Sequence, residues 1–331
     1  TIEGGGTNTY SLNLWITDEV DGNYSGQVFS GKLRVEVSQA RPLAVETLLA
    51  KVNAEDLDYN SATDEQKKEM WTFSHPATEQ TEALTDYRYI GANPNNYVMF
   101  NDELWRIIGV FTVDDGKGNM EQRVKIIRND YIYGQFDSND NSDWATSTLS
   151  ANLNSGDYWN DDLINNAKNM LGNVLWYLGD TKNYQSDIEG LTNNIYSNER
   201  GTTVHSDRGI SWIGKVGLMY SSDYGYATSG GIDIDRNTCL NTKLSNWSSV
   251  SDCYQNNWIY NLIGPNVKGT PTINHVDSNS FAILYIDYFD GSLKQGHAYN
   301  GIEIRPSVYL KSTIKIIQRD GSTSNPYILA L

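Results

Sequence analysis

Long apolar runs are missing from this sequence. No stretch of some twenty apolar residues occurs, so no segment reads as a bilayer-spanning helix. No basic start followed by an apolar stretch occurs either, and any secretion signal is expected outside these 331 residues. Basic residues are scarce: 25 Lys and Arg stand against 41 Asp and Glu, a formal charge of −16. A field of that sign repels phosphate backbones and anionic membrane surfaces, so nucleic acid is not an expected partner. Four histidines (His75, His205, His275 and His297) all lie in polar loop contexts. None sits in an HExxH helix or a nucleophile elbow, so no hydrolase is assembled by motif and no enzyme is expected. Cysteine is limited to Cys239 and Cys253, fourteen apart in one polar, turn-rich segment. Neither has a CxxC or His neighbour at zinc-binding spacing. They read as a short-loop disulfide, with two buried thiols as the alternative. Closing a loop of about 15 residues is worth roughly 3 kcal/mol in the chain-entropy model.

What the sequence does hold is aromatic and polar. With 39% apolar residues, 22 Tyr and 9 Trp, the chain can bury a real core. Its many Asn, Ser, Asp, Gly and Tyr give it the look of a secreted bacterial surface domain.

Residues 1–38 alternate like strands: Tyr10, Leu12, Leu14 and Ile16 share one face, and Phe29, Gly31, Leu33, Val35 and Val37 another. Two or three strands make no core alone, so this piece must complete a sheet elsewhere. Residues 41–86 read as a partly helical connector, with short helices over 42–53 and 63–71, the second opened by capping residues Thr63 to Gln66. From Tyr87 the pattern is β: YRYIG, YVMF and LWRIIGVFTV, with Asn101-Asp102 as a tight turn, then a hairpin carrying Val124, Ile126 and Arg128 on one face. WATSTLSANLN reads as a short helix with Leu149 and Leu153 on one side. Leu163, Ala167, Met170, Leu171, Val174, Leu175 and Leu178 form an apolar stripe that predicts one long helix over Asp162–Leu178. Strands return in SWIGKVGLMY, FAILYIDYF, GIEIRPSVYL and STIKII. Strands, helices, a long polar excursion and more strands make an α+β layout.

FDSNDNSDW places oxygen-bearing side chains at Asp137, Asn139, Asn141 and Asp143, every second residue, as a calcium loop begins. The EF-hand template wants Gly sixth and an acid twelfth. Those positions hold Ser142 and Thr148. The stretch therefore reads as a hydrated turn in which Asp143 or Ser147 caps the following helix, with calcium in an irregular loop as the alternative. Asp233 with Asp235, and Asp287 with Asp290, lie in other acidic loops without complete ligand spacing.

In order, LWRIIGV, RVKIIRN, DWATSTLSANLN, WYLG, KVGLMYSSDYGYA, RNTCL, DCYQNNWIYN and RPSVYLKSTIKI…DGSTSNPYIL resemble a family of uncharacterised surface proteins of Gram-positive bacteria, over about residues 55–331. The order of parts is also similar to C-type-lectin-like and formylglycine-generating-enzyme-like domains. That likeness implies a C-type-lectin-like domain over 87–331, with LWRIIGV and RPSVYL as paired outer strands. RPSVYL is cysteine-free, so the formylglycine-generating activity is not carried over. EPN and WND sugar-site patterns are also missing from their places; Asn160 in YWND lies in the helix region. Residues 1–40 resemble the last strands of a TasA-type biofilm-fibre sandwich. Together these resemblances imply export and display at the cell surface.

Binding is therefore the leading expectation. Tyr224 and Tyr226 sit among Gly and Ser in SSDYGYATSGG, and Trp258 and Tyr260 in NWIYN. Such aromatics, if exposed, stack on a glycan or anchor a protein partner; the alternative for Tyr224, Tyr226 and Trp258 is burial. The second expectation is a fibre subunit that self-associates by strand addition through residues 1–38.

Overall fold

The computed structural model describes residues 41–205, 208–263, 269–275, 281–317 and 319–331. The strands expected over 1–38 lie outside them. The described residues belong to one unit, Arg41–Leu331, a mixed α+β body with several sheets.

Helix α1 (Ala44–Leu49) buries Ala44, Val45 and Leu48. The next segment makes only a 3-10 turn, Gln66–Lys68. The expected capping box does form there: Thr63 N–H donates to Gln66 Oε1 (2.9 Å) and Gln66 N–H to Thr63 Oγ1 (3.2 Å). The helix goes no further because Met70 and Trp71 are buried in strand β1 (Met70–His75). This strand pairs antiparallel with β2 (Leu84–Tyr89). Residues 41–86 are thus part of the body rather than a tether.

Strands β3 (Tyr97–Phe100) and β4 (Glu103–Asp114) meet at Asn101-Asp102, where both φ angles are positive (58° and 57°). That is the backbone of a two-residue hairpin turn, which Asn and Asp tolerate. The long β4 pairs with β3 along its first half and β2 further on. A Cβ at Gly109 would stand 2.0 Å from the Tyr87 carbonyl oxygen, so the close approach of β2 requires glycine. On its other side β4 pairs with β5 (Met120–Arg128), with an irregularity between Ile107 and Gly109.

A short β6 (Ile132–Gly134) precedes helix α2 (Thr148–Ser155), which buries Leu149 and Leu153. The long helix expected over Asp162–Leu178 does not form. Helix α3 covers only Asn165–Met170, and β7 (Val174–Tyr177) follows. Leu163, Ala167, Met170, Leu171, Val174 and Leu178 are all buried, so the stripe is core in two conformations. Gly172 sits at the break with the Arg123 guanidinium against it, and Val174–Tyr177 finds a strand partner in β8 (Ser211–Gly214). Tertiary pairing overrides helical periodicity here.

Helix α4 (Thr192–Glu199), β9 (Val216–Gly217) and helix α5 (Ser221–Tyr226) follow, then α6 (Arg236–Leu240) and α7 (Ser251–Gln255). Strands β10 (Gly269–His275), β11 (Ala282–Asp287) and β12 (Leu293–His297) make a separate antiparallel sheet. The expected strand GIEIRPSVYL divides around Pro306 into β13 (Ile302–Ile304), which pairs with β6, and β14 (Ser307–Tyr309), which pairs with β5 and β9. LWRIIGV and RPSVYL are therefore not direct partners, because β5 lies between them. Strands β15 (Lys315–Ile317) and β16 (Tyr327–Ala330) close the main sheet, β16 lying parallel to β3.

Candidate functional site

A groove runs between the segment 55–72 and the polar excursion 228–256. On one side, the Asp58 side chain caps a 3-10 turn at Tyr59–Ser61. The Tyr59 ring lies against Trp71 (5.4 Å between centroids), with the Lys67 ammonium 5.7 Å from its centroid. Burial raises the Tyr59 phenol above its ordinary value, against a hydrogen bond with Ser229. Tyr59 thus bridges the groove and divides it into two lobes. The smaller lobe, about 230 Å³, has an apolar floor of Trp71, Phe73, Ile90 and Leu240 and a polar rim of Glu55, Asp58, Asp235 and Asn237. The larger, about 700 Å³, is lined by Asn60, Asp64, Lys67, Asn93, Asp233 and Asn256 among others. Ile232 stands fully exposed at its lip.

The opposite wall is locally over-determined. Asp252 Oδ2 accepts from the N–H groups of Asp233 and Ile234, both at 3.0 Å. Gly230 takes a φ of 67° and receives support from Thr228 Oγ1 (3.0 Å). Arg236 donates to the carbonyls of Thr228 (2.9 Å) and Tyr226 (3.1 Å) and lies 4.5 Å from the Phe73 ring centroid. The Cys239–Cys253 disulfide joins α6 to α7 with both residues buried. The pairing expected from the sequence is the one present, and it braces this wall.

The four expected binding aromatics do not form an exposed face. Tyr224 is completely buried, its hydroxyl donating to the Gly291 carbonyl (2.6 Å) and its ring against Trp247 (5.0 Å). Tyr226 is buried and donates to Asn193 Oδ1 (2.5 Å). Trp258 is completely buried and donates its indole N–H to the Tyr89 carbonyl (2.9 Å). Only Tyr260 is part-exposed, with its hydroxyl committed to the Tyr288 carbonyl (2.7 Å). Burial is the physical reason: a ring without accessible area, as at Tyr224, Tyr226 and Trp258, offers no stacking face. The rings that reach the groove, Tyr59 and Phe73, lay unmarked in DLDYNSAT and MWTFSH.

In FDSNDNSDW, Asp137 is buried and faces inward. Its Oδ1 accepts from Asn139 N–H (2.7 Å) and Asn141 N–H (3.2 Å), and Oδ2 from Thr148 N–H (2.8 Å). Asn141 Oδ1 accepts from Asp143 N–H (3.0 Å), and Asp143 Oδ2 from the Thr146 hydroxyl (2.7 Å). Ser147, not Asp143, caps α2. The loop spends these oxygens on its own backbone and turn. Among the described residues no group of three His, Cys, Asp or Glu is placed to hold a metal ion.

A second concentration of chemistry lies inside the body. Arg88 donates to Asp86 (2.8 Å) and Asp223 (2.7 Å), and Lys125 Nζ to Asp223 (2.6 Å). Ser222 donates its N–H (2.9 Å) and hydroxyl (2.5 Å) to Glu199, which also faces Arg200 (3.5 Å). Against the desolvation of burial, the Arg88 guanidinium and His75 hold the Asp86 carboxyl down to about 2. Burial pushes Glu199 up to about 7 despite Arg200 and Ser222.

No family model matches this chain, and no curated protein or solved structure gives a significant match. No helix among the described residues is long and apolar enough to cross a membrane.

Proposed function

We propose that this chain is a non-catalytic, adhesin-like protein displayed outside the cell, with a variant C-type-lectin-like body that binds a glycan in the groove around Tyr59. The observation that carries this reading is the bipartite groove itself: an apolar, aromatic floor beside a larger lobe of Asn, Asp and Lys side chains. Sugars present both an apolar face and a hydroxyl edge, and a site with both surfaces meets each. The disulfide in the groove wall fits an oxidising compartment. The lining needs no metal to supply its hydrogen-bonding groups. A glycan array probed with the full chain, with and without calcium, tests this. Binding to a defined glycan class, lost by at least about tenfold in Tyr59→Ala as the removal of a stacking ring and its desolvated contacts implies, is expected. Unchanged binding by Tyr59→Ala, or an array without signal, removes the groove as the glycan site.

A further inference from the structure

The interior of the protein holds an amine and a carboxyl together out of contact with water. Lys125, on β5, has no exposure, and Asp223, on α5, has almost none. The Lys125 Nζ stands 2.6 Å from Asp223 Oδ2. Four aromatic rings surround the amine: Tyr220 at 4.3 Å from the centroid, Trp176 at 5.2 Å, Tyr309 at 5.3 Å and Phe111 at 5.9 Å. Burial draws the amine below its ordinary value, against the pull of Asp223. An ion pair taken fully out of water bears a desolvation penalty that its mutual attraction does not always repay.

We propose that Lys125 and Asp223 condense into an intramolecular amide, a covalent cross-link between β5 and α5. The Lys125 Nζ to Asp223 Cγ bond forms and the Cγ–Oδ2 bond breaks. The ammonium gives two protons to Oδ2, which leaves as water, so atoms and charge balance without an oxidant, a cofactor or an energy source.

The other contacts of Asp223 suit this step. Oδ2, the departing oxygen, faces the amine and accepts from the Tyr220 N–H (2.9 Å). Oδ1 accepts from Arg88 Nη1 (2.7 Å), at the oxygen where negative charge grows in the tetrahedral intermediate. The amine is in hydrogen-bond contact with the carboxyl, 2.6 Å from Oδ2, and a near-attack pair needs the nitrogen and the carbon brought to about 3–3.5 Å. The buried Glu199 accepts from Ser222, the residue before Asp223 in the chain, and burial, helped by the Asp223 charge, raises its carboxyl. Arg88 keeps the Asp86 carboxylate once the Lys125 and Asp223 charges disappear together. The enclosed peptide separates the two residues by 98 positions, so the bond would tie distant parts of the body.

Intact-mass spectrometry of the full chain, unfolded and fully reduced, tests for the bond. The expected mass falls short of the sequence mass by one water. Trypsin cannot cut after an acylated Lys125, so peptide 124–128 should be recovered joined to peptide 216–236. The Lys125→Arg chain should show the full mass of its own sequence and no joined peptide. A wild-type chain of full sequence mass, or a missing water that maps to any other peptide, overturns the proposal and leaves a buried ion pair. The wild-type digest alone is decisive, whether or not the variant folds.

Discussion

Ser222 directs both of its hydrogen-bond donors at Glu199, yet burial still lifts that carboxyl from an ordinary 4.5 to about 7. Between those pH values the folded chain holds a proton that the unfolded chain releases. The stability contributed by this group is therefore complete below about pH 4.5 and is lost as pH rises through about 7. The full swing is on the order of 3 kcal/mol. Glu199→Gln keeps an acceptor for Ser222 and removes the titration. Denaturant melts at about pH 5 and about pH 8 should show wild type losing stability relative to the variant across this interval. Equal slopes for both proteins would show that Glu199 titrates as an ordinary carboxyl. Asp86 acts in a different window, because its lowered value withdraws stability only as pH falls from 3.8 towards about 2. At this scale the sequence revealed residue types but not their neighbours. SSDYGYATSGG has the composition of a recognition loop, while Asp223 within it is fixed by Arg88 and Lys125, from 135 and 98 residues away. Those separations turn a Gly- and Ser-rich stretch into a buried helix.

Short-range signals translated well into elements wherever a local cause set the backbone. Asn101-Asp102 made the hairpin turn, Leu149 and Leu153 faced the core from α2, and Thr63 with Gln66 formed their reciprocal cap. They failed where a distant partner decided. The 162–178 stripe became helix and then strand because Ser211–Gly214 pairs with Val174–Tyr177, a contact across a long polar interval. The disulfide is the clearest case of an element-scale feature legible from spacing, and its place in the groove wall gives it a second role. It connects the short helices α6 and α7, five residues each, too short to persist alone. Replacing both cysteines by serine is expected to cost about 3 kcal/mol from loop-closure entropy. It should also weaken glycan binding more than the stability loss alone implies, since Asp233, Asp252 and Asn256 lose their common brace. Denaturant melts with calorimetric binding to an array-identified glycan measure both. Unchanged affinity in a folded double variant would separate the bridge from the groove.

Across the whole molecule, the α+β class was readable from the order of strand-like and helical segments, whereas the extent of the body was not. Read from sequence, 41–86 is a partly helical connector, with short helices over 42–53 and 63–71. Yet Ala44, Met70, Trp71 and Asp86 are buried, β1 pairs along its whole length with β2, and α1 is held to the end of the chain by Ala44 N–H donating to the Ile314 carbonyl (2.8 Å). The same segment supplies Asp86 to the buried charges and Tyr59 to the groove. A chain that starts at Tyr87 would lose α1, β1 and the first half of β2, and strip Arg88 of the Asp86 carboxylate. Breaking a buried ionic network by removing one member costs about 3–5 kcal/mol, a large share of the 5–15 kcal/mol typical of a folded protein. A chain of residues 41–331 should therefore melt in one cooperative transition, and a chain of residues 87–331 should have none. Circular dichroism melts of the two make the comparison. A cooperative transition in the shorter chain would return 41–86 to the role of a connector and show that the buried charges hold without Asp86.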